Sequence, residues 1–234
     1  RSTLSSSSAA SDVYKRQHTV TPVNGKLQVK LECERPDVEI RYTMDGKEPT
    51  DRSLLYKSPL MVTGTQTIKC TTYRAGRQMG KTLTLPLVWN KATAKPVLGN
   101  TQAGKILVNG IRGSLRQSDF EWHSWESSDS VAFTIDLQKK ESLRSVSVGC
   151  ITNYGMAAHK PADIEVWVSN DNRDYRKVSG KQFTDGEIFR EGTFKEDVVL
   201  DLNKEIGRYV RIIAKGAGEC PATHVRPGQE ARIY

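Results

Sequence analysis

Apolar residues recur at every second position along most of this chain. Val38, Ile40, Tyr42 and Met44 alternate with Glu39, Arg41 and Thr43. Val131, Phe133, Ile135 and Leu137 alternate with Ala132, Thr134 and Asp136, and Ile164, Val166 and Val168 with Glu165 and Trp167. A period of two places one set of side chains on one face of an extended strand, so each run predicts a half-buried β-strand. Turn-forming pairs and triplets lie between the runs: Asp45-Gly46, Asn109-Gly110, Asn170-Asp171-Asn172 and Asp185-Gly186. These residues tolerate positive φ or bond their own backbone. Nowhere is a helical period sustained, and Asp185–Glu191 predicts one short turn at most. Short strands at this spacing predict an all-β protein built of β-sandwiches.

Length then sets the number of units. With 234 residues there is room for two domains of roughly 75 and 140 residues. The stretch Trp89–Gly99 is polar, contains Pro96 and separates two runs of strands. The predicted division is a first domain at 18–92, a linker at 93–98 and a second domain at 99–234. Residues 1–17 are Ser-rich and aperiodic, and Asp12–Gln17 reads like the translated mosaic end of a transposase sequencing adaptor. That stretch is expected to be a disordered scar and is set aside from fold reasoning. Arg232-Ile233-Tyr234 reads as the middle of a strand, so the chain is expected to be a fragment of a longer protein.

Charge and cysteine content narrow the function classes. The formal net charge is +8, of which Arg1, Asp12, Lys15 and Arg16 supply +2. The remaining basic residues are scattered among acids, as in Lys139-Lys140-Glu141. A nucleic-acid partner would call for basic clusters interleaved with aromatics on one face, and none is expected. Nor does any apolar run approach the roughly 20 residues of a membrane helix. Cys33, Cys70, Cys150 and Cys220 form no CxxC pair, which argues against a zinc knuckle or redox dithiol. Two fall in each predicted domain, either as disulfides or as buried free thiols.

Two motif sets carry a family resemblance. In the first domain, IRYTMDGKEPT at Ile40–Thr50 is followed by Tyr56, Pro59 and Leu60. Asp45-Gly46 makes a tight turn, Pro49 sets an extended exit, and Thr50 bonds local backbone. This resembles the small β-sandwich on the C-terminal side of bacterial chitobiases and β-hexosaminidases. Asp45 reads there as a turn residue. In the second domain the order is LVNGIRGS, DFEWHSW, VAFTIDL, HKPADIEVWVSNDNRDYRKV and RYVRIIAKGAGECPATHVRPGQEARIY. It resembles the discoidin, or coagulation-factor C-type, domain, which implies a galactose-binding-like jelly-roll sandwich. Together the modules resemble the C-terminal half of family-20 β-N-acetylhexosaminidases from gut-type Bacteroidetes.

That resemblance implies a periplasmic, outer-membrane-attached or secreted location and an upstream catalytic barrel as intramolecular partner. The family's chemistry uses an Asp-Glu dipeptide in that barrel, and this chain has none. No catalytic residue is therefore expected. The implied structural calcium would use an Asp-Gly loop and a late acid. Asn109 is neutral and the second position is missing, so neither calcium nor another cofactor is expected.

Sugar recognition needs an aromatic plate and polar groups reaching hydroxyls, usually on loops. Three loops qualify: Phe120–Trp125, Asn153–Lys160 and Pro221–Arg226. Trp122, Trp125 and Tyr154 are the candidate plates, and His123, His159, His224 and Arg226 the candidate hydrogen-bonding groups. Four have a structural alternative: Trp122 as packing beneath its loop, His159 as a satisfied structural histidine, His224 and Arg226 as loop architecture. No nucleophile elbow or HExxH spacing occurs. The resulting expectation is a non-catalytic accessory region that binds terminal galactose or N-acetylhexosamine, or braces the barrel. An adhesin-like discoidin protein and the tail of an α-L-fucosidase are the alternatives.

Overall fold

The computed structural model describes residues 16–99, 101–126 and 130–234. It divides into two compact units, one running to Ala94 and including Asn109–Ile111, the other comprising Lys95–Val108 and Arg112–Tyr234. Both are β-sandwiches, as the period of two predicts.

In the first unit, strands β1 (Arg16–Val23), β2 (Lys26–Cys33) and β5 (Leu60–Val62) form one sheet. The other contains β3 (Glu39–Thr43), β4 (Leu54–Leu55), β6 (Gln66–Arg74), β7 (Arg77–Gln78) and β8 (Leu83–Leu87). Leu27, Val29 and Leu31 alternate inward from β2 and meet Ile68, Leu85 and Leu87, with Ile40 and Tyr42 of β3 and Met44 just after it packed against them. The turn after β3 forms as its residues dictate. Gly46 has φ +78°, Asp45 Oδ1 accepts the Lys47 amide at 3.1 Å, and Tyr73 donates its hydroxyl to Pro49 O at 3.0 Å. β1 already pairs at Arg16, opposite Cys33. The adaptor-like stretch thus contributes two residues to a sheet, because ladder pairing uses backbone groups that every sequence carries. The expectation of disorder over residues 1–15 lies outside the described residues.

Asn109–Ile111 was expected to open the second domain, yet it completes the first unit. The Val88 amide donates to Gly110 O at 2.9 Å, and Ile111 packs on the first unit's core. Gly110 has φ +75° with Val88 O only 2.9 Å from where a Cβ would stand, so glycine is required there.

Among the described residues the second unit forms one eight-stranded sheet. Its strands are β9 (Val97–Leu98), β10 (Trp125–Glu126), β11 (Ser130–Asn153), β12 (Ala158–His159), β13 (Asp163–Ser169), β14 (Arg176–Gln182), β15 (Thr193–Lys215) and β16 (Arg232–Ile233). Their main order is β10-β16-β12-β11-β15-β13-β14, with β9 beside β11. β11 and β15 pair along their length but break register between Asp136 and Glu141 and again between Leu143 and Ser145. At this corner Gln138, Asn203 and Lys204 take positive φ. Asp136 Oδ1 accepts the Gln138 amide and Asp201 Oδ1 the Asn203 amide, both at 2.7 Å. Arg208 forks onto both oxygens of Asp136 at 2.8 and 2.9 Å. The corner turns one hydrogen-bonded sheet back over its own apolar face. Phe133, Ile135, Leu137, Ile164, Val166, Val168, Val210 and Ile212 are buried there, the alternation read from the sequence.

Among the described residues two helices interrupt the strands: α1 (Thr101–Leu107) and α2 (Asp185–Ile188). The second matches the single turn expected, with Thr184 and Glu187 forming a capping box. The first was not expected. It is under two turns long, too short to express a 3.6-residue period, and sits so close to β9 that a Cβ at Gly104 would stand 2.8 Å from Val97 Cβ. Among the described residues, no helix is long and apolar enough to cross a membrane.

Candidate functional site

The three loops read from the sequence all belong to the second unit, and two of them interlock. A 3-10 turn at Tyr154–Met156 ends at Ala157 with φ +52°, which returns the chain into β12. The loop from Cys220 closes on itself: the Cys220 amide donates to Gln229 O at 2.8 Å, the Gly228 amide to Cys220 O at 2.9 Å, and the His224 amide to Pro221 O at 2.9 Å. Arg226 fastens this loop to the turn. Its Nε donates to Gly155 O at 2.6 Å, and Nη2 lies 3.8 Å from Met156 Sδ. Tyr154 donates its hydroxyl to Thr223 O at 3.4 Å, and its ring lies 3.9 Å from that of His224.

Tyr154, His159, His224 and Arg226 are therefore brought together. Tyr154 is half-buried and Arg226 exposed. His159 and His224 are buried, at 1% and 4% exposure. Their rings lie 5.2 Å apart beneath Tyr154 and beside Phe189. His159 Nδ1 lies 3.0 Å from Ile188 O. A carbonyl can only accept, so the proton sits on Nδ1 and Nε2 presents a lone pair. His224 Nδ1 accepts the Arg226 amide at 3.0 Å, which places its proton on Nε2. Both Nε2 atoms are buried without a hydrogen-bond partner. Burial, with His224 opposite, lowers the His159 pKa to about 4, and burial also lowers that of His224. Cys220 is the third group here. Its Sγ and one ring nitrogen from each histidine lie within 4.8 Å of one another. Burial pushes its thiol pKa up.

The third loop reaches this cluster through the sheet. Trp125 of β10 pairs with Ile233 of β16, which pairs with His159 of β12. Trp125 and His159 thus flank Ile233, about 10 Å apart at two strand spacings. Trp125 is half-buried and packs edge-on against His123 at 4.6 Å. Trp122 is placed differently. Its indole donates to Ser114 O at 2.8 Å and covers Gly113, where a Cβ would come within 2.3 Å of the ring. Phe120, not singled out in the sequence, is 92% exposed. The sequence also gave no hint of Cys220 as a site residue. Cys220 and His224 stand four apart in one loop, but the third member comes from a distant strand. None of the seven candidates lines the shallow hollow of about 270 Å³ formed by Leu98, Gly99, Ala132, Phe133, Thr134, Asn172 and Arg211. Cys33, Cys150 and Cys220 are free thiols.

Comparison with known proteins fits this arrangement of modules. Residues 91–226 match the F5/8 type C domain family. That match spans more than half of the chain, which belongs to this family. Ahead of it, residues 18–84 match the chitobiase/β-hexosaminidase C-terminal domain. No curated protein matches the chain. Similar solved structures include the C-terminal domain of a chitobiase from Bacteroides fragilis, at 12% identity and TM-score 0.31, covering 54% of this chain and 72% of that one. A module named CBM32-1 from a family 31 glycoside hydrolase of Clostridium perfringens is 19% identical, with TM-score 0.30 and coverage of 47% and 71%. A fucose-binding module from Streptococcus pneumoniae is 15% identical, with TM-score 0.33 and coverage of 62% and 93%.

Proposed function

We propose that this chain is the non-catalytic, carbohydrate-binding accessory region of a secreted glycoside hydrolase, a β-N-acetylhexosaminidase whose catalytic barrel lies elsewhere in the parent protein. The observation that carries the reading is the interlocking of the Tyr154 and Cys220–Gln229 loops. It sets a half-buried aromatic ring beside an exposed guanidinium already oriented by Gly155 O. An aromatic plate packs against the apolar face of a pyranose, and a guanidinium donates to its hydroxyls. Trp125 and His123 extend the surface along β10. His159 and His224, being buried, support Tyr154 from below. The family memberships support an accessory role, and terminal galactose and N-acetylhexosamine are the ligand class.

Stacking on one ring with a few hydrogen bonds is offset by desolvation and ordering costs, so the expected Kd is on the order of 0.1–1 mM. Titration with galactose, N-acetylgalactosamine and N-acetylglucosamine, followed by amide NMR, should move Tyr154–Met156 and Val225–Arg226. Tyr154→Ala should remove most of the response, with folding checked by circular dichroism. Silence towards every sugar at tens of millimolar sinks the reading. The same preparation should not hydrolyse an aryl N-acetylglucosaminide, and turnover that survives repeated purification would overturn the non-catalytic assignment.

A further inference from the structure

We propose that His159, Cys220 and His224 form a zinc site that staples the Cys220–Gln229 loop to β12. This does not rest on the carbohydrate reading. The three groups are buried and converge from two separate parts of the chain, His159 from β12 and Cys220 and His224 from one loop, with ligand atoms within 4.8 Å of one another. Two of those groups leave buried ring nitrogens unpartnered. An unpartnered buried polar atom is costly and calls for an explanation. Two histidines set round a thiol are a donor set suited to a borderline-soft d10 cation.

His159 is already prepared as a ligand. Its Nδ1–H donates to Ile188 O and fixes the Nε2 lone pair inward, the outer-shell arrangement typical of metal-bound imidazole. Ligands at about 2.0–2.3 Å around tetrahedral Zn2+ stand roughly 3.5 Å apart, so from separations of up to 4.8 Å the trio must draw in by at most about 1.3 Å. Three protein ligands leave a fourth position for water.

His224 gives the site a specific signature. Its proton sits on Nε2 because Nδ1 accepts the Arg226 amide. Coordination through Nε2 requires the other tautomer, with the proton on Nδ1, and the Arg226 amide then loses its acceptor. Cys220 binds as thiolate and releases its proton. Uptake of one Zn2+ therefore forms one Zn–S and two Zn–N bonds, liberates one proton, and breaks one hydrogen bond.

The test uses the reduced, metal-stripped, tag-free full chain and Co2+ as a spectroscopic stand-in. One Co2+ per chain should give tetrahedral visible bands and a thiolate-to-cobalt band in the near ultraviolet, both erased by Zn2+. Zn2+ uptake should release one proton and shift the Arg226 amide. Cys220→Ser should lose the near-ultraviolet band and weaken binding by at least the 10–100-fold that loss of an outer-shell partner alone costs. Cys33→Ser should change neither. Absence of the bands in the native sequence, or their persistence in folded Cys220→Ser, overturns the proposal. Should Cys220→Ser fail to fold, thiol alkylation of the native sequence decides. Zn2+ must shield Cys220 while leaving Cys33 reactive, and an unshielded Cys220 refutes the site.

Discussion

Single side chains in the second unit are held by local backbone as much as by the core. Asp171 shows this in the Asn170-Asp171-Asn172 turn. Its Oδ1 accepts the Arg173 amide at 2.9 Å, the Asp174 amide at 3.0 Å and the Ser169 hydroxyl at 2.8 Å. These backbone and hydroxyl donors stabilise the carboxylate and lower its pKa from 3.8 to about 2. A depressed folded-state pKa means that the unfolded chain takes up the proton first as pH falls. The contribution to stability is therefore complete above about pH 4 and is lost as pH falls through 2. Carboxyl 13C titration should put the Asp171 midpoint near 2, and a midpoint near 4 would show that the turn does not hold it. Trp122 gives a second prediction at this scale. Its ring lies over Gly113 so closely that an added methyl would stand 2.3 Å from Cε2. The indole is also tied to Ser114 O, so it cannot simply swing away. Gly113→Ala should cost about 1–3 kcal/mol by overpacking, measured by chemical unfolding of the second unit. A neutral result would mean that the ring is loosely held and Trp122 is free for ligand.

At the scale of elements, the chain disclosed what a strict period can disclose. The alternations at Val131–Leu137 and Ile164–Val168 became inward faces of β11 and β13, because burial of one face enforces a period of two. Asp45-Gly46 and the Asp185–Glu191 turn formed where their residues placed them. What stayed hidden depends on partners remote in sequence. Helix α1 is seven residues long and is fitted by Gly104 against Val97 rather than by an amphipathic stripe. The corner of β11 rests on Arg208 reaching Asp136 from β15, a pairing 72 residues apart. The site divides along the same line. The three loops were legible because aromatic and imidazole residues cluster in them. The burial of His159 and His224 was not, because it depends on how the Cys220 loop folds back over β12.

At the scale of the whole molecule, the order of two sandwiches was legible from motifs, while the path of the chain between them was not. The first unit borrows Asn109–Ile111 from beyond Lys95–Val108, a stretch that belongs to the second. A linear reading cannot find this, since LVNGIRGS reads continuously and its Asn-Gly marks only a turn. The borrowed residues matter to the first unit in two ways. Gly110 O satisfies the Val88 amide at 2.9 Å. Ile111 packs on a core whose main members are Leu27, Val29, Ile68, Leu85 and Leu87. A unit of this size buries a smaller fraction of its surface than a larger domain does, so one partly buried isoleucine is a noticeable share of its stability. Ile111→Ala should therefore destabilise the first unit by about 1–2 kcal/mol, allowing for its incomplete burial. Hydrogen exchange in the full chain locates the effect. Protection should fall across β2, β6 and β8 and at the Val88 amide, while β11, β13 and β15 keep theirs. If β11 and β15 lose protection and the first unit does not, Ile111 belongs energetically to the second sandwich, and the division between the units must be redrawn at the linker read from the sequence.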